Sequence, residues 1–139
     1  MMIFAVDLGR VRTGLAVSDQ TGFIAVPVGT ITQRDIKKLV LQVAEEAKLK
    51  KAGLIIVGHP RNMDGSCGES AHMAEDFALE LEKQSGIPVK LWDERMTTLS
   101  AIGILNESNT RGKKRKAVID TVAATIILQD YLDSIRDKK

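Results

Sequence analysis

Carboxylates stand at three places where the residues around them do not favour charge. Asp7 closes the apolar run Ile3-Phe4-Ala5-Val6, Asp93 and Glu94 follow Val89-Lys90-Leu91-Trp92, and Asp120 is the only charged residue from Ala117 to Leu128. Taken singly they have ordinary explanations: Asp7 as a turn former, Asp120 as an acid complementing the first turn of a helix. Taken together they have a chemical one. Like charges gathered at a buried edge repel and require a cation. An all-oxygen donor set suits Mg²⁺ or Mn²⁺ rather than zinc, for which only His59 and His72 offer nitrogen. Two such ions about 3.5–4 Å apart can activate a water and stabilise the leaving oxygen of a phosphodiester, so hydrolysis of that bond is the expected reaction. Successive strand residues face opposite ways, so only one of Asp93 and Glu94 can join the set; Glu94 is taken, with Asp93 as the fallback.

Other residues suit a nucleic-acid backbone. Arg10 and Arg12 flank the turn after Asp7, and Arg111, Lys113 and Lys114 belong to a basic run immediately before the helix that carries Asp120. Arg95 can pair with a neighbouring carboxylate or contact phosphate. Asn62 and Ser66 lie in a glycine-containing stretch ahead of a predicted helix, where backbone N–H groups can face an anion. Ser66 and Cys67 lack the base and acid of a nucleophilic site. His72 is expected to be solvated, whereas His59, at a strand end beside Pro60, is a possible proton shuttle or substrate contact. Few aromatics are present, so stacking on single-stranded bases is weakly supported.

The elements that must position these groups follow from periodicity. Ile3–Asp7, a glycine-flanked turn, Leu15–Val17, a second turn over Ser18–Gly22 and Phe23–Thr32 predict an antiparallel meander whose last strand, containing Pro27, lies at an edge. Ile36, Leu39, Val40, Val43 and Ala47 mark one face of a helix over 34–51, ended by Gly53. Leu54–Val57 reads as a buried parallel strand, Glu69–Gln84 as a helix, Val89–Trp92 as another strand. Thr97 and Thr98 are expected to cap a short helix carrying Ala101, Ile102 and Leu105. A linker over 106–116 then leads to a last helix from about Lys116 to Ile135, with Asp120 in its first turn. The order predicts an α/β fold: a five-stranded mixed sheet, three antiparallel strands then two parallel, with helices on both faces. Ligands of such sheets bind at the carboxyl ends of the parallel strands, where Asp7, the Gly58 loop and Asp93-Glu94 all fall.

The 139 residues predict one domain with a real core, and 44% hydrophobic against 27% charged residues excludes a disordered chain. A net charge of +2 is too small to argue for nucleic acid without local clustering. One cysteine, no leader-like start and no membrane-length apolar run predict a cytoplasmic protein with no membrane partner.

The blocks Asp7-Leu8-Gly9 with Arg12 and Gly14, Ala16-Val17-Ser18-Asp19, Gly58 and Pro60 with Asp64-Gly65-Ser66 and Gly68, Asp93-Glu94-Arg95 with Thr97-Thr98, and Ile119-Asp120 before Ala123-Ala124 resemble, in this order, the YqgF family, also called RuvX. The resemblance spans nearly the whole chain. It implies a single RNase H-like nuclease domain over residues 1–139, with Asp7, Glu94 and Asp120 as its metal-binding catalytic residues. It also implies a substrate that is either structured RNA, the 5′ end of pre-16S rRNA in ribosome biogenesis, or branched DNA, cut by a RuvC-like Holliday junction resolvase. Val11 and His59 depart from the family pattern, where a basic and an apolar residue respectively are expected. A junction enzyme needs two sites and hence a homodimer, whereas an RNA-cutting enzyme can be a monomer. Two other classes compete: a noncatalytic nucleic-acid-binding module, and an ATP-binding protein of the actin and sugar-kinase type, for which the chain is short.

Overall fold

Apolar runs bounded by turn formers become the strands of one sheet. A computed structural model describes residues 1–60, 66–94 and 112–137, with side chains in the last stretch described for 122–136. The strands are β1 (Met2–Asp7), β2 (Arg12–Ser18), β3 (Ala25–Thr32), β4 (Ala52–His59) and β5 (Val89–Asp93), and the helices α1 (Ile36–Leu49), α2 (Glu69–Ser85) and α3 (Gly112–Asp137). Sheet order is β3-β2-β1-β4-β5. β1, β2 and β3 pair antiparallel, and β4 and β5 run parallel to β1. Pro27 lies on the β3 edge, as expected of a residue without a backbone donor.

Side-chain alternation divides the core in two. Phe4, Val6, Leu15, Val17, Ile55 and Val57 pack with Leu39, Val43 and Ala47 of α1 and Ala74, Phe77 and Leu81 of α2. Ile3, Ala5, Ala16 and Ile56 face Ala124, Ile127, Leu128, Tyr131 and Leu132 of α3. Helices therefore cover both faces. Gln129 anchors α3 to the start of β3: its Nε2 donates to Phe23 O at 2.8 Å, and its Oε1 accepts from Ala25 N–H at 2.9 Å.

Three local expectations are corrected. Gly53 does not end α1; the left-handed residue is Lys51, at φ 57°, and Gly53 already lies in β4. α3 begins at Gly112, so Lys113 to Lys116 lie in its first turns instead of a linker. Lys and Arg are good helix formers, and here propensity prevails although cations oppose the dipole at that end. Asp120 is consequently more than two turns inside α3, beyond reach of the dipole explanation, which fades after the first turn. The capped helix expected after Thr97 and Thr98 lies outside the described residues.

Candidate active site

Strand register brings the ends of β1, β4 and β5 to one edge of the sheet. Asp7 ends β1 opposite Gly14, Val6 is paired with Val57, Gly58 with Trp92 and His59 with Asp93. Asp7 thus stands at the level of Gly58, at the carboxyl edge of the parallel strands. Alternation continues the α3-facing series Ile3, Ala5 to Asp7, and Ile56 to Gly58. Trp92 packs on the α3 side and Leu91 on the other. Asp93 follows Leu91, and Glu94 follows Trp92. The Glu94 carboxyl lies directly over Gly58, where a Cβ would be 2.8 Å from Oε1 and 3.1 Å from Ile127 Cδ1. Glycine at 58 is what makes room for it.

Glu94 and Asp7 are hydrogen-bonded to each other. Two carboxyl groups this close repel when both are charged. Burial is the main effect on Glu94 and pushes its carboxyl above the usual range; the bond with Asp7 and the nearby His59 oppose the rise, and Asp93 adds to it. Position 120 falls on the helical stripe of 124, 127 and 131, two turns before Ile127, and Ile127 touches the site. A cleft of about 160 Å³ opens beside the acids, lined by Asp7, Gly9, Arg10, Gly58, Ser70 and Glu94. Neighbouring carboxylates with only oxygen to offer, Glu94 desolvated among them, fit a hard divalent cation.

The turn after β1 is tightly built. A Cβ on Gly9 would lie 1.8 Å from Arg12 O, so the turn tolerates no side chain there. The Gly9 N–H donates to Thr13 Oγ1 at 3.3 Å, and Thr13 is fully buried. Arg10 pairs with Glu69 at 3.3 Å on an exposed surface, a contact weak enough to yield to a phosphate. Arg12 begins β2, and Ser66 is exposed two residues before the α2 N-cap. Lys113 and Lys114 lie at the start of α3. Asn62, Arg95 and Arg111 lie outside the described residues.

Sequence reasoning did not anticipate the partner of His59. Its Nε2–H donates to Glu75 Oε2 at 2.8 Å, and His72 Nδ1 lies 3.3 Å from Glu75 Oε1. Chiefly through His59, these contacts hold the Glu75 carboxyl below its usual range. His59 follows Ile55 and Val57 on the α2 side, so it faces away from Asp7. The 16-residue separation gives no local signal of this pairing.

The raised Glu94 carboxyl has a consequence for stability. A folded carboxyl that holds its proton more tightly than the unfolded one stabilises the fold below its unfolded pKa and loses that contribution as pH rises through the folded value. Glu94→Gln is therefore expected to stabilise the metal-free protein at neutral pH by about 1 kcal/mol, or about 3 °C in Tm. The gain should vanish as pH falls toward the ordinary carboxyl value of 4.5. Calorimetry in chelator checks this; a destabilised variant at neutral pH would contradict it.

A family model described as "RuvX: Holliday junction resolvase" matches residues 1–134. A Lachnospira eligens protein named "Putative pre-16S rRNA nuclease" is 41% identical over 140 residues, covering 96% of this chain and 98% of its own. A Thermoanaerobacter pseudethanolicus protein of the same name is 40% identical, covering 99% and 100%. Among solved structures, Thermus thermophilus RuvC in complex with a Holliday junction superposes with TM-score 0.62 at 12% identity, 96% of each chain being covered. The fowlpox virus Holliday junction resolvase gives 0.54 at 14%, covering 97% and 99%. These two likenesses bear out the RNase H-like fold, the sequence relatives share this chain's full span, and together with the family match they establish that the chain belongs to the RuvX family.

Proposed function

We propose that this chain is a divalent-metal-dependent endonuclease that hydrolyses phosphodiester bonds in the 5′-end processing of pre-16S rRNA. What carries the reading is the convergence of Asp7 and the desolvated Glu94 on one cleft at the carboxyl edge of the sheet. Residues 1–139 form one nuclease domain, in which Asp7, Glu94 and Asp120 hold Mg²⁺ or Mn²⁺. When bound, such an ion supplies charge neutralisation at the scissile phosphate and an activated water. The chain's own residues do the rest. Gly58 leaves space for the Glu94 carboxyl, and Ile127 packs against the same glycine. Arg10 and Arg12 at the first turn, Lys113 and Lys114 at the start of α3, and Asn62, Ser66, Arg95 and Arg111 contact the nucleic-acid backbone.

The names of the sequence relatives support structured RNA as substrate. The family description supports a second reading, cutting of four-way DNA junctions. One acidic cluster cuts one strand, so a monomer serves the RNA reaction, whereas paired junction cuts require a homodimer. Among the described residues no helix is long and apolar enough to cross a membrane. We place the reaction in the cytoplasm, where precursor rRNA is processed.

The test is cleavage of a labelled pre-16S 5′ leader and of a synthetic four-way junction, each with Mg²⁺ or Mn²⁺ and with chelator. Metal-dependent cutting of the leader is expected. Symmetrical cutting of the junction alone would replace the RNA reading with the resolvase. If neither is cut and no divalent ion quenches the single tryptophan, Trp92, a noncatalytic binding module is the better account.

A further inference from the structure

Beside the cleft of the acids, where the end of β4 meets the start of α2, three side chains of different chemistry converge. His59 ends β4, Cys67 immediately precedes the Gly68 N-cap of α2, and Glu75 lies in the second turn of α2. Ligand atoms of His59, Cys67 and Glu75 all lie within 4.8 Å of one another. We propose that these three residues form a second metal site, for Zn²⁺ or a similar thiophilic divalent ion, separate from the hard-cation site of Asp7 and Glu94. This goes beyond the nuclease reading and stands independently of it.

The donor set decides the class of ion. Imidazole, thiolate and carboxylate together are the ligands of zinc, whereas Mg²⁺ takes oxygen alone. Tetrahedral bonds of about 2.0–2.3 Å place ligand atoms roughly 3.5 Å apart, so the set must contract by about an ångström. The carboxylate can move, since the Glu75 side chain is 36% exposed, while His59, 12% exposed, provides the fixed corner. Binding balances simply. Cys67 releases its thiol proton to solvent, His59 carries its ring proton on Nδ1, and the ion takes the place of the proton now bridging Nε2 and Glu75. One thiolate and one carboxylate then neutralise the two charges of the ion. His72, beside the second Glu75 oxygen, braces the carboxylate from the solvent side, and water completes the fourth position. An occupied site ties the end of β4 to the start of α2, alongside the cleft that receives the acids.

The experiment titrates the metal-free full-length chain with Co²⁺, followed by Zn²⁺. A thiolate-to-cobalt charge-transfer band saturating at one equivalent, and bleached by Zn²⁺, is the expected result. Cys67→Ser should abolish the band, and Glu75→Gln and His59→Asn should each weaken binding about tenfold or more, with folding verified by circular dichroism. Asp7→Asn should keep the band, because its carboxylate serves the other site. The proposal is overturned if wild type shows no band or if Glu75→Gln and His59→Asn bind as wild type. Saturation at half an equivalent with dimer formation, two chains bridged through Cys67, would overturn it as well. None of these readouts depends on nuclease activity, so this proposal and the catalytic one fail separately.

Discussion

Asp7→Asn is expected to lower the metal-dependent cleavage rate about 10³-fold or more while leaving substrate affinity nearly unchanged. The size follows from the several kcal/mol of transition-state stabilisation that a correctly held metal ion supplies. An amide keeps the shape of the carboxyl and removes the charge that holds the ion. The fold should survive, because the substitution keeps the side chain's shape and removes one of two neighbouring like charges. Single-turnover kinetics on the labelled leader, with substrate binding measured in chelator, separates rate from affinity. Asp93→Asn provides the comparison. Asp93 continues the Leu91 face and points away from the Asp7 side, so its loss should cost less than about tenfold. A fall of similar size in both variants would show that alternation does not separate the two acids. A loss below tenfold in Asp7→Asn would remove Asp7 from the catalytic set.

Gly58→Ala is expected to separate activity from stability. The added methyl would sit 2.8 Å from Glu94 Oε1 and 3.1 Å from Ile127 Cδ1. Neither obstacle is backbone. The Glu94 carboxyl is the end of a flexible side chain and can swing away, and Ile127 needs to yield by only a few tenths of an ångström. Stability should therefore change by less than about 1 kcal/mol, within the range of mild small-to-large changes. Activity should fall about 10²-fold, because a displacement near 1 Å of a group that positions the reacting centre costs that much. Thermal melts together with cleavage rates test the pair of expectations. Unchanged activity would show that the position of Glu94 over Gly58 is not the productive one, whereas a large loss of stability would show that the sheet edge cannot relax around the methyl.

Much of this arrangement is legible in the chain. Pro27 marks the edge strand because it lacks a ladder donor, and β3 is indeed the edge. Period-two alternation separates Glu94 from Asp93, and the structure places the Glu94 carboxyl beside Asp7. Helix boundaries were less legible. Lys113 to Lys116 look like a solvated linker, yet Lys and Arg extend helices readily, and α3 starts at Gly112. The end of α1 misleads for a related reason. Glycine is the usual left-handed residue, but Lys51 takes that conformation, freeing Gly53 to enter β4. The convergence of His59, Cys67 and Glu75 has no spacing motif, since it depends on α2 crossing back over the end of β4.

By itself, the amino-acid order determined the type and succession of the elements and the face on which each strand residue lies. These are local properties, set by helical and strand periodicity over a few residues. Tertiary structure alone decided which strand ends stand level, since the register of β1, β4 and β5 depends on pairing between residues some 30 to 50 positions apart. It also decided which carboxyls lose their water. Glu94 lies beside Asp7 and over Gly58, against which Ile127 is brought from the far end of the chain.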